Sequence, residues 1–109
     1  MQTAIRVETL PESAIEAAEA FRARPLQNAQ EILAQGQDVV FVLPPAGFDH
    51  ADWRTAMAHD LARAHAPARV NIIAGADDAA ITATLSYLEN APGVTGQYLP
   101  LAGAGRFDG

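Results

Sequence analysis

Few residues in this sequence are able to move a proton or hold a metal ion. "FDHAD" (48–52) sets His50 among Asp49 and Asp52, and "HDLARAH" (59–65) adds His59 and His65 on what reads as the same helix. A shared ion needs side chains that converge. At 100° per residue His50 and His59 point about 180° apart, and His59 and His65 diverge by about 120°. They therefore read as separate surface histidines, and "DHAD" reads as a helix start with Asp49 or Asp52 near the positive end of the dipole. The adjacent Asp77 and Asp78 resemble an acid/base couple or a cation site, but at a helix start two such carboxylates are expected to serve as a cap. "GAGRFDG" (103–109) is glycine-rich, yet it follows a strand and precedes no helix, so it forms no phosphate cradle and reads as a flexible tail. With no cysteine there is no thiolate nucleophile, disulfide or thiolate-bound metal, in keeping with a reducing compartment. The expectation is thus no catalytic, metal-binding or cofactor-binding residue, and no cofactor.

The elements that must position these residues alternate regularly. "TAIRVETL" (3–10) predicts a strand with one face less buried, closed by Pro11. "PESAIEAAEAFRARPLQNAQEILAQG" (11–36) predicts helix, with Ala14, Ala18 and Phe21 on one stripe and Leu26, Ala29, Ile32 and Leu33 on a second; Pro25 kinks or divides it and Gly36 stops it. "DVVFVLPP" (38–45) is a continuous apolar run of the kind buried on both faces, a central strand ended by two prolines. Trp53, Met57, Leu61 and Ala64 give helical spacing over 49–66 until Pro67 ends it. "RVNIIAG" (69–75) is the next strand. A helix over 79–90 turns Ile81, Leu85 and Leu88 inward and stops at "NAPG", and "GQYLPLAG" (96–103) is a last strand with Pro100 marking a sheet edge. The sum, β-α-β-α-β-α-β, predicts an α/β fold: a four-stranded parallel sheet flanked by helices, with right-handed connections.

Composition bounds the rest. A length of 109 residues fits one domain, and half of them are hydrophobic with 18% charged, which reads as globular. The net charge of −6 and a pI near 4.8 oppose contact with phosphate backbones, and no cluster of the seven Lys and Arg offsets this. Nucleic acid is not an expected partner, nor is a membrane. "MQTAIRVETLPES" lacks a basic segment followed by an apolar run, so a cytoplasmic location is expected.

In the second half the residues acquire a family character. "DLARAHAPARVNIIAG" followed by "YLENAPGVTGQYLPLAGAG" resembles the C-terminal part of the short-chain dehydrogenase/reductase (SDR) family. There a Leu-Ala-x-x-x-Ala-Pro helix end leads to an Arg-Val-Asn strand, and a Tyr/Phe-Leu pair precedes a Val-Thr-Gly-Gln turn, matched by Tyr87-Leu88 and Val94-Thr95-Gly96-Gln97. Residues 1–59 match only in element order, so the resemblance implies the family's fourth strand onward: a single half-Rossmann, SDR-like domain over 1–109. It also shows what differs. No glycine-rich dinucleotide turn follows the first strand, which leads into "PES". The family's catalytic Tyr-x-x-x-Lys falls on "GFDHA", with Gly47 and Ala51 at the Tyr and Lys positions. Its serine falls at Pro44-Pro45, and its Pro-Gly at Gly75-Ala76.

The resemblance therefore implies a scaffold without the chemistry. Trp53, Tyr87 and Tyr98 read as packing or interface aromatics rather than pocket lining. The best-retained segments correspond to the family's oligomer contacts, which implies an interface through Tyr87, Leu88, Tyr98, Leu99 and Leu101. The expected role is a non-catalytic module that homo-oligomerises or joins an active dehydrogenase, covering one of two open sheet edges. The alternative is a small-molecule or nucleotide-binding protein, or a reductase subunit, using the loops "PPAGFDH", "GADD" and "AGAGRF" at the carboxyl edge of the sheet.

Overall fold

The structure, a computed structural model, describes residues 2–101. Its centre is two apolar strands, β2 (Asp38–Leu43) and β3 (Val70–Ala74), buried along nearly their whole length. Apart from Asp38 and Asn71, both are apolar runs without polar alternation, as a strand covered on both faces requires. Paired outside them are β1 (Gln2–Arg6) and β4 (Tyr98–Pro100), giving one parallel sheet in the order β1-β2-β3-β4. Gln2 to Arg6 lie opposite Asp38 to Val42, Val39 to Leu43 opposite Val70 to Ala74, and Ile72 to Ala74 opposite Tyr98 to Pro100. The α/β half-Rossmann arrangement expected from the alternating elements is the observed one.

Successive residues of a strand point to opposite faces, and this sorts the core into two layers. Val39, Phe41, Leu43, Val70 and Ile72 meet Phe21, Ala29, Leu33, Met57 and Leu61 from α1 (Ala14–Ala23), α2 (Pro25–Ala34) and α3 (Ala51–His65). Phe21 sets its ring edge against Phe41, centroids 4.8 Å apart. On the opposite face Val40, Val42 and Ile73 meet Ile81 and Leu88 of α4 (Asp78–Glu89). Among the described residues, three helices cover one face and one covers the other.

Local chemistry explains where the elements stop. Ser13 caps α1, its Oγ accepting the Glu16 N–H at 3.2 Å. Pro25 divides the predicted long helix, since it can neither donate within a helix nor sit past its first turn; it opens α2 at N1 or N2. Gly36 ends α2 with φ +81°, a left-handed conformation that costs glycine little. The first strand is shorter than predicted because β2 stops at Leu43, ahead of two prolines, leaving only Val7 to add one bond to Val42 O at 2.9 Å. The last strand, expected over 96–103, is Tyr98–Pro100 among the described residues: Pro100 has no N–H, although Leu101 still reaches Ala74 O at 2.9 Å. The helix predicted over 49–66 begins as a 3-10 turn (Phe48–His50) and continues as α3. The glycine-rich 103–109 lies outside the described residues. Among those residues no helix is long and apolar enough to cross a membrane.

Candidate functional site

The two segments that carry the family resemblance are tied to each other. Arg69, just before β3, donates Nη1 to Leu88 O and Ala91 O, both at 2.8 Å, closing the carbonyl end of α4. Its Nε meets Asp38 Oδ2 at 3.0 Å and its backbone N–H meets Asp38 Oδ1 at 2.7 Å. The next residue, Val70, donates its N–H to Thr95 Oγ1 at 3.1 Å and accepts the Gly96 N–H at 2.8 Å. Asn71, buried in β3, donates Nδ2 to Val94 O and accepts the Gln97 N–H, each at 3.0 Å. "RVN" and "VTGQ" thus form a lock that sets α4 and β4 against β3. Gly96 fits because its φ is +75° and a Cβ would lie 3.3 Å from Ala62 Cβ. These contacts are structural: they hold α4 and β4 in place against β3.

A cavity of about 400 Å³ opens elsewhere, at the carboxyl ends of β1 and β2. Leu10, Pro11 and Glu12 form one wall, the Pro44–Gly47 loop with Asp49 another, and His50 and Arg54 complete it. Open parallel sheets bind ligands at this end, and the size suits a small molecule. Pro44, Pro45 and Gly47, where the resemblance sets catalytic serine and tyrosine, lie around this one cavity. They carry no side chain able to exchange a proton.

Two buried polar residues stand at the cavity. His50 is 5% exposed, which corrects the expectation of a surface histidine. Its Nε2 lies 2.8 Å from Glu12 O, and its Nδ1 takes the Trp53 Nε1–H at 3.1 Å. A carbonyl only accepts and an indole only donates, so these partners select the tautomer with the proton on Nε2. Both ring nitrogens are thereby occupied, and His50 ties the β1–α1 loop to α3. Arg54, 1% exposed, was invisible to sequence reasoning, since an arginine within "DWRTAM" gives no signal that separates it from a solvated one. Its Nη1 donates to Pro44 O at 3.0 Å and to Tyr98 Oη at 3.3 Å. The guanidinium carbon lies 5.5 Å from the Trp53 ring centroid and 5.8 Å from that of Tyr98. Its Nε is buried without a partner among the described residues.

The aspartates at the start of α4 act differently from expectation. Asp77 occupies the N-cap position, but its side chain makes no capping bond. Asp78 reaches across to β1 and pairs with Arg6 Nη1 at 3.0 Å.

The five residues assigned to an interface separate in space. Tyr87 is 59% exposed on α4, and with Leu99 it lines a groove of about 320 Å³ together with Gly93, Val94, Thr95 and Gln97. Leu99 and Leu101, half-buried, pack against the α4 layer of the core. Tyr98 turns to the other face, against the three-helix layer, where it meets Arg54. Leu88 is fully buried and unavailable to a partner; it shares the inward stripe of Ile81 and Leu85, so its side chain is committed to the core. Trp53 is likewise a packing residue, tilted against Phe21 at 5.7 Å.

Comparison with known proteins gives one family. A family model described as SDR-like, short chain dehydrogenase-like protein, matches residues 5–101. No curated protein and no solved structure matches the chain significantly.

Proposed function

From a chain that belongs to the SDR-like family of short chain dehydrogenase-like proteins, we propose a non-catalytic module that pairs with a second copy of itself through the α4 and β4 side. The observation that carries this reading is the unequal cover of the sheet. Four strands spaced about 4.8 Å apart make a face wider than one helix about 10 Å across can shield. Among the described residues α4 stands alone on that face, and beside it lie exposed Tyr87, half-buried Leu99 and β4 at the end of the strand order. Around a two-fold axis the same groove meets its own copy, so one aromatic and one edge serve both partners. Tyrosine suits the task, giving a large apolar ring with a polar tip.

The non-catalytic part rests on residue chemistry. By the resemblance, Gly47, Ala51 and the Pro44-Pro45 pair fall where the family carries its tyrosine, lysine and serine, and none of their side chains exchanges protons.

Light scattering on size-exclusion fractions tests both parts. The expected result is a dimer for the wild type and a monomer of unchanged circular dichroism for Tyr87→Asp. Nicotinamide fluorescence should be absent from the protein peak after incubation with NADH or NADPH. A wild type that stays monomeric at high concentration sinks the self-pairing, and a complex formed only with an active short-chain dehydrogenase replaces it with the heteromeric form. Co-eluting nicotinamide returns the chain to the cofactor-binding class.

A further inference from the structure

We propose that the cavity at the carboxyl ends of β1 and β2 binds a small molecule through a carboxylate, with Arg54 as its charge partner. Arginine keeps its charge under all ordinary conditions, and a buried charge is normally matched by an opposite one. Arg69 shows the rule in this chain, paired to Asp38 at 3.0 Å. Arg54 is the more buried of the two, yet among the described residues no carboxylate lies within ion-pair distance of it. Two neutral oxygens and two ring faces serve it instead.

The unused edge of the guanidinium sets the ligand class. Nη1 is committed to Pro44 O and Tyr98 Oη, whereas Nε has no partner and Nη2 makes no hydrogen bond among the described residues. The Nε and Nη2 N–H groups run parallel at the spacing of two carboxylate oxygens, the arrangement of a bidentate pair, and since Arg54 is only 1% exposed a ligand reaches that edge through a side-chain shift at the cavity wall. Beside this cation lies a cavity of about 400 Å³, large enough for a small organic acid. His50 does not compete for the ligand, because both of its nitrogens are taken.

Two carboxylates oppose an anion there: Glu12 and Asp49 also line the cavity. Both residues are exposed, so water screens their charge, whereas the Arg54 charge acts from the protein interior, where the dielectric is lower. Their presence favours a single carboxylate over a multiply charged phosphate. It also gives the proposal a signed test.

The probe is sodium acetate, titrated against sodium chloride at equal ionic strength into the ¹⁵N-labelled full chain. The readouts are the Arg54 Nε–H resonance and the amides of Ala46, Gly47 and His50. Saturable shifts with acetate and none with chloride are expected. Arg54→Lys should weaken binding about tenfold or more, as loss of a bidentate charge-assisted contact requires, and Asp49→Asn should tighten it several-fold. Gly47→Leu keeps Arg54 and fills the cavity; position 47 has φ −67°, and a Cβ there would meet only the tip of Asp49 at 2.8 Å. That variant should abolish the shifts. Linear shifts equal for both salts overturn the proposal. So does saturation by inorganic phosphate but not acetate, or a wild-type Arg54 Nε–H that stays fixed while other resonances saturate. The last readout decides even where Arg54→Lys fails to fold.

Discussion

Arg69 and Arg54 are the same residue type with opposite surroundings. Arg69 is matched by Asp38 and closes α4 through Leu88 O and Ala91 O. Arg69→Met removes the charge that faces Asp38 and strips two carbonyls of their donor. Stability should fall by about 2–4 kcal/mol, a large share of what a domain of this size holds. The midpoint of urea unfolding at unchanged slope reads this out, and a shift worth less than about 1 kcal/mol would show that water replaces the arginine at both sites. Neither role was legible in the sequence. Arg69 stands in a motif with a family meaning but no stated contact, and the three partners that define its work lie between 19 and 31 residues away. His50 misled for the same reason: helical angles exclude a shared ion, but they say nothing of Glu12, which reaches the ring from 38 residues upstream.

The elements differ in how many neighbours hold them. β2 and β3 are paired on both sides and covered on both faces, whereas β4 is three residues long and relies on β3 together with the turn that Thr95 and Asn71 fasten. Local opening draws on regions with few buried contacts, so amides donated from β4 and its flank should exchange before those of the central pair. Hydrogen exchange followed by NMR is expected to show the Leu101 N–H, bonded to Ala74 O, exchanging faster than the Val39 N–H, bonded to Arg69 O. Thr95→Val leaves the Val70 N–H without its side-chain acceptor and should widen that gap without altering Val39. Equal acceleration at both sites would mean that the sheet opens as one unit. Element order and type were readable here because the apolar runs of β2 and β3 and the stripes of the helices are strong periodic signals. Strand ends were not, since a strand extends only as far as its partner does.

For the whole molecule, net charge and uneven cover act against each other. A charge of −6 opposes the proposed self-pairing, which rests on the single-helix face. Self-pairing through Tyr87 and Leu99 should therefore strengthen as salt rises from about 50 to 500 mM, because screening weakens like-charge repulsion and leaves apolar contact intact. Sedimentation velocity across that range checks the sign. Association that weakens with salt would instead indicate opposite charges meeting at the interface and would move it away from the Tyr87 groove.

The sequence by itself determined the class of fold, because alternating apolar periods of two kinds leave a parallel sheet with helical crossovers as the economical way to bury them. It also determined the side chains at the positions where the resemblance sets the family's tyrosine, lysine and serine: Gly47, Ala51 and two prolines carry no proton-exchanging group whatever their surroundings. Only the tertiary structure decided which polar residues face one another across the chain. Leu88 and Tyr87 are adjacent in sequence, yet one is core and the other surface; Arg69 is matched while Arg54 is buried with no counter-charge among the described residues. Those outcomes depend on distances between residues remote along the chain, and local periodicity carries no information about them.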